Sequence, residues 1–313
     1  MPYYAASYPN LFSEGIIREA YGRRLFSAID GGSRKELFEP LNAVQDYWKI
    51  YAFDADEGAA DYNGNVERLP YGLWSESKNL DLHLADDPTT SSIYPPDLEL
   101  FDLLYGPSLG SDVRRTQRVV KVPCISVDDA ISRGLMEKPN FFKLDVHSAE
   151  YEAILGAKNN LDNCVCVFVE TWTRPFHKGQ KCHGHVEALL NDLGFYIYDI
   201  APVYGYNKSS VYGHSITGDR KLLTLTESVF FPDRVKPELE ILHVAMLDLF
   251  RYTGLAIHMC DVYNLSSDVK KMLLSFPRQR SFDWRHSGFY KRWFRNIIRS
   301  LMFPDRDVVY SGR

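Results

Sequence analysis

Asp145 and His147 stand two residues apart where a short apolar run, Phe141-Phe142-Lys143-Leu144, gives way to the helix-forming stretch from Glu150. A carboxylate at the carboxyl end of a strand can point into a ligand crevice, where it binds a hydroxyl or an amino group. Asp145 also suits the capping of the helix that begins near Ser148. Histidine titrates near neutral pH and is suited to moving a proton. A second constellation is Asp30-Gly31-Gly32-Ser33, which follows the apolar run Leu25 to Ile29. A helix start behind a glycine turn offers free backbone N–H groups, and an acid ending the next strand, here Asp54, can accept hydrogen bonds from ribose hydroxyls. Glu170 and Trp172 end a third run, Val165 to Val169. Glu170 could orient an acceptor, and Trp172 could stack on a sugar or ring or else simply pack.

These residues need elements to hold them. Leu25 to Asp30, Lys49 to Phe53, Phe141 to Asp145 and Cys164 to Thr171 each read as a strand. Helix-like stretches follow them, to about Val44, to about Tyr62, over Glu150 to Leu161 and over His185 to Leu193. Asn65 to Leu73 supplies a further strand, and Phe195 to Ile200 with Leu222 to Phe231 close the sheet. Between Leu80 and Val127 the pattern changes to alternation, as in Leu80-Asp81-Leu82-His83-Leu84, around a turn-rich segment from Asp86 to Ser92. That predicts an antiparallel insert at the sheet edge or over the site. The whole is expected to be α/β, a doubly wound and mostly parallel sheet. It divides into a helical segment at residues 1–24, a main domain at 25–233 and a helical C-terminal extension at 234–313.

The segment Lys143 to Glu150, K-L-D-V-H-S-A-E, resembles the K-[IL]-D-[VI]-[EQ]-G-[AN]-E signature of the FkbM family of S-adenosylmethionine-dependent methyltransferases. Ala28-Ile29-Asp30-Gly31-Gly32-Ser33-Arg34 is similar to that family's hydrophobic-D-x-G-A-N, and Phe53-Asp54-Ala55-Asp56 to its F-E-P-[ND]. Val127-Asp128-Asp129 also resembles its L-D-[DE] segment. Where the family often has a further glycine this chain has Glu36, and His147 and Ser148 replace the usual Glu or Gln and Gly. The resemblance runs from about Leu25 to Pro232. It implies a class I methyltransferase (Rossmann-like) fold, S-adenosylmethionine as donor and a hydroxyl on a sugar, glycan or natural product as acceptor. It places the donor across Asp30, Gly31, Gly32 and Ser33, with Asp54, Ala55, Gly72 and Leu73 on the same site. Asp145 and His147 then stand near the transferred methyl, with His147 as a candidate base for the acceptor hydroxyl. Glu170, Trp172 and His177 face the acceptor.

Composition sets limits. The chain has 313 residues, 45% of them hydrophobic, enough for a substantial core. A net charge of −5 gives no reason to expect nucleic acid as the partner. Five cysteines without a paired C-x-x-C arrangement point to a reduced, cytoplasmic protein. The stretch from His177 to His185 holds three histidines and Cys182, yet its spacing fits no structural zinc pattern, and no metal site is expected there. Gly288 to Phe303 reads as a helix with Phe289, Trp293, Phe294 and Ile297 on one side and Lys291, Arg292, Arg295 and Arg299 on the other. Such a helix either lies on an anionic membrane surface or packs on the catalytic domain or a second subunit. Two other functions compete with this one: a methyltransferase-like binding or assembly module working through that helix, and a nicotinamide-dependent oxidoreductase. The second is weakened because the first turn, Gly-Gly-Ser-Arg-Lys-Glu, lacks Gly-x-Gly-x-x-Gly.

Overall fold

Adjacent large apolar residues such as Phe141 and Phe142 must bury on opposite faces of a strand, so a sheet built from such runs needs cover on both sides. The computed structural model describes residues 10–33, 37–55, 64–105, 110–206 and 222–281. Its main sheet has seven strands: β1 (Phe26–Gly31), β2 (Trp48–Phe53), β3 (Val66–Leu69), β7 (Phe141–Leu144), β8 (Cys166–Trp172), β9 (Phe195–Tyr206) and β10 (Leu222–Pro232). Their order is β3-β2-β1-β7-β8-β10-β9. The first five run parallel, and β10 is antiparallel to both β8 and β9.

One face carries Phe26, Ala28, Ile50, Phe141, Phe168 and Phe231. It is covered by α1 (Ile16–Tyr21), α2 (Glu39–Ala43) and three late helices, α8 (Glu240–Leu249), α9 (Thr253–Val262) and α10 (Ser267–Ser281). Helix α8 is buried from Leu242 to Leu249, as an apolar run without a polar stripe requires. The late helices thus share a core with the sheet. The other face carries Ile29, Tyr51, Phe53, Phe142, Leu144, Val167 and Val169 against α5 (Val127–Ser132), α6 (Glu150–Leu155) and α7 (His183–Asp192).

A second sheet, β4-β6-β5, is built from β4 (Gly72–Leu73), β5 (Lys78–Ala85) and β6 (Thr116–Ile125), with β5 and β6 antiparallel over Lys78↔Cys124 to Ala85↔Thr116. The single strand expected over Asn65 to Leu73 is split, because the chain leaves the main sheet after Leu69 and joins the insert at Gly72. The helix expected over Glu150 to Leu161 is shorter, ending at Leu155, where Gly156 caps it, and the one expected over His185 to Leu193 begins earlier, at His183. The polar helix expected toward Tyr62 and the basic aromatic helix at 288–303 lie outside the described residues. Among the described residues no helix is long and apolar enough to cross a membrane.

Candidate active site

The ends of β1 and β7 meet in register, Asp30↔Lys143 and Gly31↔Leu144. The Asp145 amide then donates to the Gly31 carbonyl at 3.1 Å, and the Gly32 amide to the Phe53 carbonyl at 3.0 Å. Gly32 turns the chain with φ of +79°, and a Cβ built there would lie 1.9 Å from the Asp145 carbonyl oxygen. Only glycine permits both the dihedral and the approach. Above this junction lies a cavity of about 300 Å³. Gly32, Asp54, Ala55, Gly72 and Leu73 form one wall, Asp145, Val146 and His147 another, and Leu82, Leu84, Ser91, Ser92 and Ile93 from the insert a third.

Asp30, Gly31 and Ser33, expected to face a donor, do not line this cavity. Strand alternation explains why: Asp30 shares a sheet face with Ala28 and the side chains under α8, where it is wholly buried. A buried carboxylate needs a partner. Lys143, its neighbour in register, supplies one: Lys143 Nζ lies 3.0 Å from Asp30 Oδ1 and donates to the Gly31 carbonyl at 3.1 Å. The Phe38 amide donates to Asp30 Oδ2 at 2.8 Å. Burial works against the Lys143 charge, yet Asp30 and Asp145 hold its pKa above the ordinary lysine value. Lys143 was missed as a site residue, although a lone lysine inside an apolar strand is itself a signal.

The β7–β8 register, which reaches Leu144↔Val169, sets Asp145 beside Glu170. Asp145, His147 and Glu170 each offer a ligand atom within 4.8 Å of the others. His147 and Ser148 both have positive φ, 54° and 103°, a strained pair that must be held from outside. The Ser148 amide donates to Glu150 Oε1, and its hydroxyl meets that of Ser92. Burial pushes the His147 imidazole down to about 4, so it is neutral near pH 7 and does not titrate there as expected of an exposed histidine. Burial, with the Asp145 charge alongside, pushes the Glu170 carboxyl up to about 9.

Glu170, expected to face the acceptor, stands beside Asp145 but does not line the cavity, and neither do Trp172 and His177. Both are buried with Phe101 and Phe176, and their rings stand 5.8 and 5.7 Å from that of His147, which they brace. Among the described residues Cys182, His183 and His185 gather no ligand set; His183 instead bonds Thr171 Oγ1 at 2.8 Å. The insert residues on the third wall were not singled out individually, though the spacing of Leu80, Leu82 and Leu84 puts them on one face of a strand.

Glu150 opens α6 and is buried at 2% exposure. Burial pushes its carboxyl up to about 8, outweighing the hydrogen bond from the Ser148 amide, against 4.5 for an ordinary glutamate. The folded state therefore keeps a proton that the unfolded chain releases, so this group's contribution is full below pH 4.5 and is lost as pH rises toward 8. Glu150→Gln is expected to melt higher than the parent at pH 8.5, with the advantage shrinking at pH 5. An equal difference at both values would contradict the burial argument.

Residues 23–197 match the family described as methyltransferase FkbM domain. Similar solved structures include a methyltransferase FkbM from Methylobacillus flagellatus KT, at 12% identity over 67% of this chain and 45% of that one, with TM-score 0.33. A magnesium protoporphyrin IX methyltransferase from Synechocystis PCC 6803 with bound SAM matches at 12% identity over 70% of this chain and 76% of that one, TM-score 0.27. A TehB-like SAM-dependent methyltransferase from Corynebacterium glutamicum matches at 9% over 73% and 92%, TM-score 0.26. The chain thus spans less than half the length of the first of these. No curated protein matches it.

Proposed function

We propose that this chain, which belongs to the FkbM family of methyltransferases, transfers a methyl group from S-adenosylmethionine to a hydroxyl of a sugar, glycan or natural-product acceptor. The observation that carries this is the single cavity with Gly32 and Asp54 on one wall and Asp145 with His147 on another.

The residues present fit the donor. The turn at Gly32 has no side chain to fill the cradle between the strand ends, and Asp54 stands at the end of the neighbouring strand, where a carboxylate accepts hydrogen bonds from ribose hydroxyls. When bound, S-adenosylmethionine would supply a sulfonium methyl whose C–S bond can give way to a C–O bond with an acceptor hydroxyl. Asp145 and His147, with Glu170 beside them, bind the acceptor hydroxyl, and Asp145 receives its proton. His147, unprotonated near pH 7, presents a ring-nitrogen lone pair there. Leu82, Leu84 and Ile93 keep water from the methyl. A small or glycan acceptor, and no nucleic acid, accords with the net charge of −5.

The test is calorimetric titration with S-adenosylhomocysteine, with NADH as control. Saturable binding of S-adenosylhomocysteine alone is expected, weakened about tenfold or more in Asp54→Ala, in line with the loss of a charge-assisted hydrogen-bond acceptor. Unchanged affinity in Asp54→Ala would sink the placement of the ribose. Binding of NADH in place of S-adenosylhomocysteine would sink the methyltransferase assignment.

A further inference from the structure

We propose that Asp145, His147 and Glu170 bind one divalent cation beside the cavity wall that carries Asp145 and His147. This deepens the methyl-transfer proposal by naming what would hold the acceptor oxygen. The three side chains offer a ligand atom each within 4.8 Å of one another. Donors on one first-row cation, at about 2.0–2.2 Å from it, sit roughly 3–4 Å apart, so small side-chain rotations gather the set.

Two independent observations point the same way. Among the described residues His147 Nε2 is buried with no hydrogen-bond partner, an arrangement that costs free energy unless a ligand takes up the lone pair or the proton. Its ring is nonetheless held fast by the edge-to-face neighbours Trp172 and His177 and by the strained backbone at His147 and Ser148. The second observation is charge. Glu170 has Asp145 beside it on one side and Glu227 directly across from it in the β10–β8 register on the other, so three carboxylates stand in a row on one sheet edge, with buried Glu150 acting on them too. Lys143 lies 3.8 Å from Asp145 but is committed to Asp30 at 3.0 Å, and the Arg114 guanidinium, whose charge acts on His147, lies over the Phe101 ring. A bound cation would let these crowded carboxyl groups ionise side by side.

Two carboxylate oxygens and one imidazole nitrogen suit a hard to borderline ion such as Mn²⁺, Mg²⁺ or Zn²⁺. Three protein ligands leave coordination positions for an oxygen of the acceptor.

The experiment is titration of the chelator-treated full chain with MnCl₂, following free Mn²⁺ by electron paramagnetic resonance. One saturable site is expected, weakened about tenfold or more in Glu170→Gln and in Asp145→Asn, the loss expected for a removed ligand or more. With Co²⁺ in place of Mn²⁺, the visible absorption of a nitrogen-ligated ion is expected in the parent and altered in His147→Gln. No saturable binding of Mn²⁺ or Zn²⁺ by the parent overturns the proposal, and so does affinity unchanged in both carboxylate variants. Titrating the same preparations with S-adenosylhomocysteine separates the two ideas. A parent that binds S-adenosylhomocysteine and no cation refutes the cation site alone; one that binds the cation and no S-adenosylhomocysteine refutes methyl transfer alone.

Discussion

Gly32→Ala is expected to abolish measurable S-adenosylhomocysteine binding and to lower the melting temperature. Two costs add at this position. Alanine at φ of +79° pays about 1–2 kcal/mol for left-handed backbone. Its methyl would then lie 1.9 Å from the Asp145 carbonyl oxygen and 2.8 Å from the carbonyl carbon, atoms that belong to backbone and cannot rotate away. The end of β7 must move, which breaks the Asp145 amide bond to Gly31 and shifts the wall that carries Asp145 and His147. With both costs felt at the site, about 3 kcal/mol corresponds to a loss of more than a hundredfold in affinity. Affinity within about threefold of the parent, a change of under ~1 kcal/mol, would show that the Gly32 junction does not shape the donor site.

Lys143→Met is expected to be the most damaging substitution for stability away from the cavity wall. It leaves the wholly buried Asp30 carboxylate facing an apolar side chain, with, among the described residues, the Phe38 amide left to bind it. Removing one partner of a buried pair costs about 3–5 kcal/mol, because the remaining charge stays desolvated. On a chain of this size that corresponds to a fall in melting temperature on the order of 10 °C. The Asp30→Asn, Lys143→Met double variant is expected to recover much of the loss, since it removes the stranded charge. Denaturant unfolding of the two single variants and the double variant measures this coupling. Additive losses would mean that the pair does not act as a unit.

Both expectations depend on register, and register marks the boundary of what could be read from the chain. The strand–turn–helix junctions at Asp30–Gly32 and at Asp145–Glu150 were legible, because apolar runs ending on an acid or a glycine are local patterns set by burial and backbone sterics. So were the antiparallel insert and the FkbM signature in Lys143 to Glu150, and residues 23–197 match that family. The direction of Asp30 was not legible. It depends on which face of β1 the acid occupies and on a lysine 112 residues beyond Gly31 that happens to stand in register. Trp172 was equally ambiguous: the sequence allowed stacking on an acceptor or packing, and Phe101 and Phe176, brought in from other elements, settle it as packing.

By itself, then, the sequence determined the fold class, the family and the segments that carry Gly32, Asp54, Asp145 and His147, which line one cavity, since each belongs to a short segment whose types and spacing carry the information. The tertiary structure alone decided that Glu170 stands between Asp145 and Glu227, that Lys143 neutralises Asp30, and that Leu82, Leu84 and Ile93 close over the cavity. The physical reason is that pairing between strands far apart in the chain is selected by the packing of both sheet faces at once, and no local stretch of sequence contains that choice.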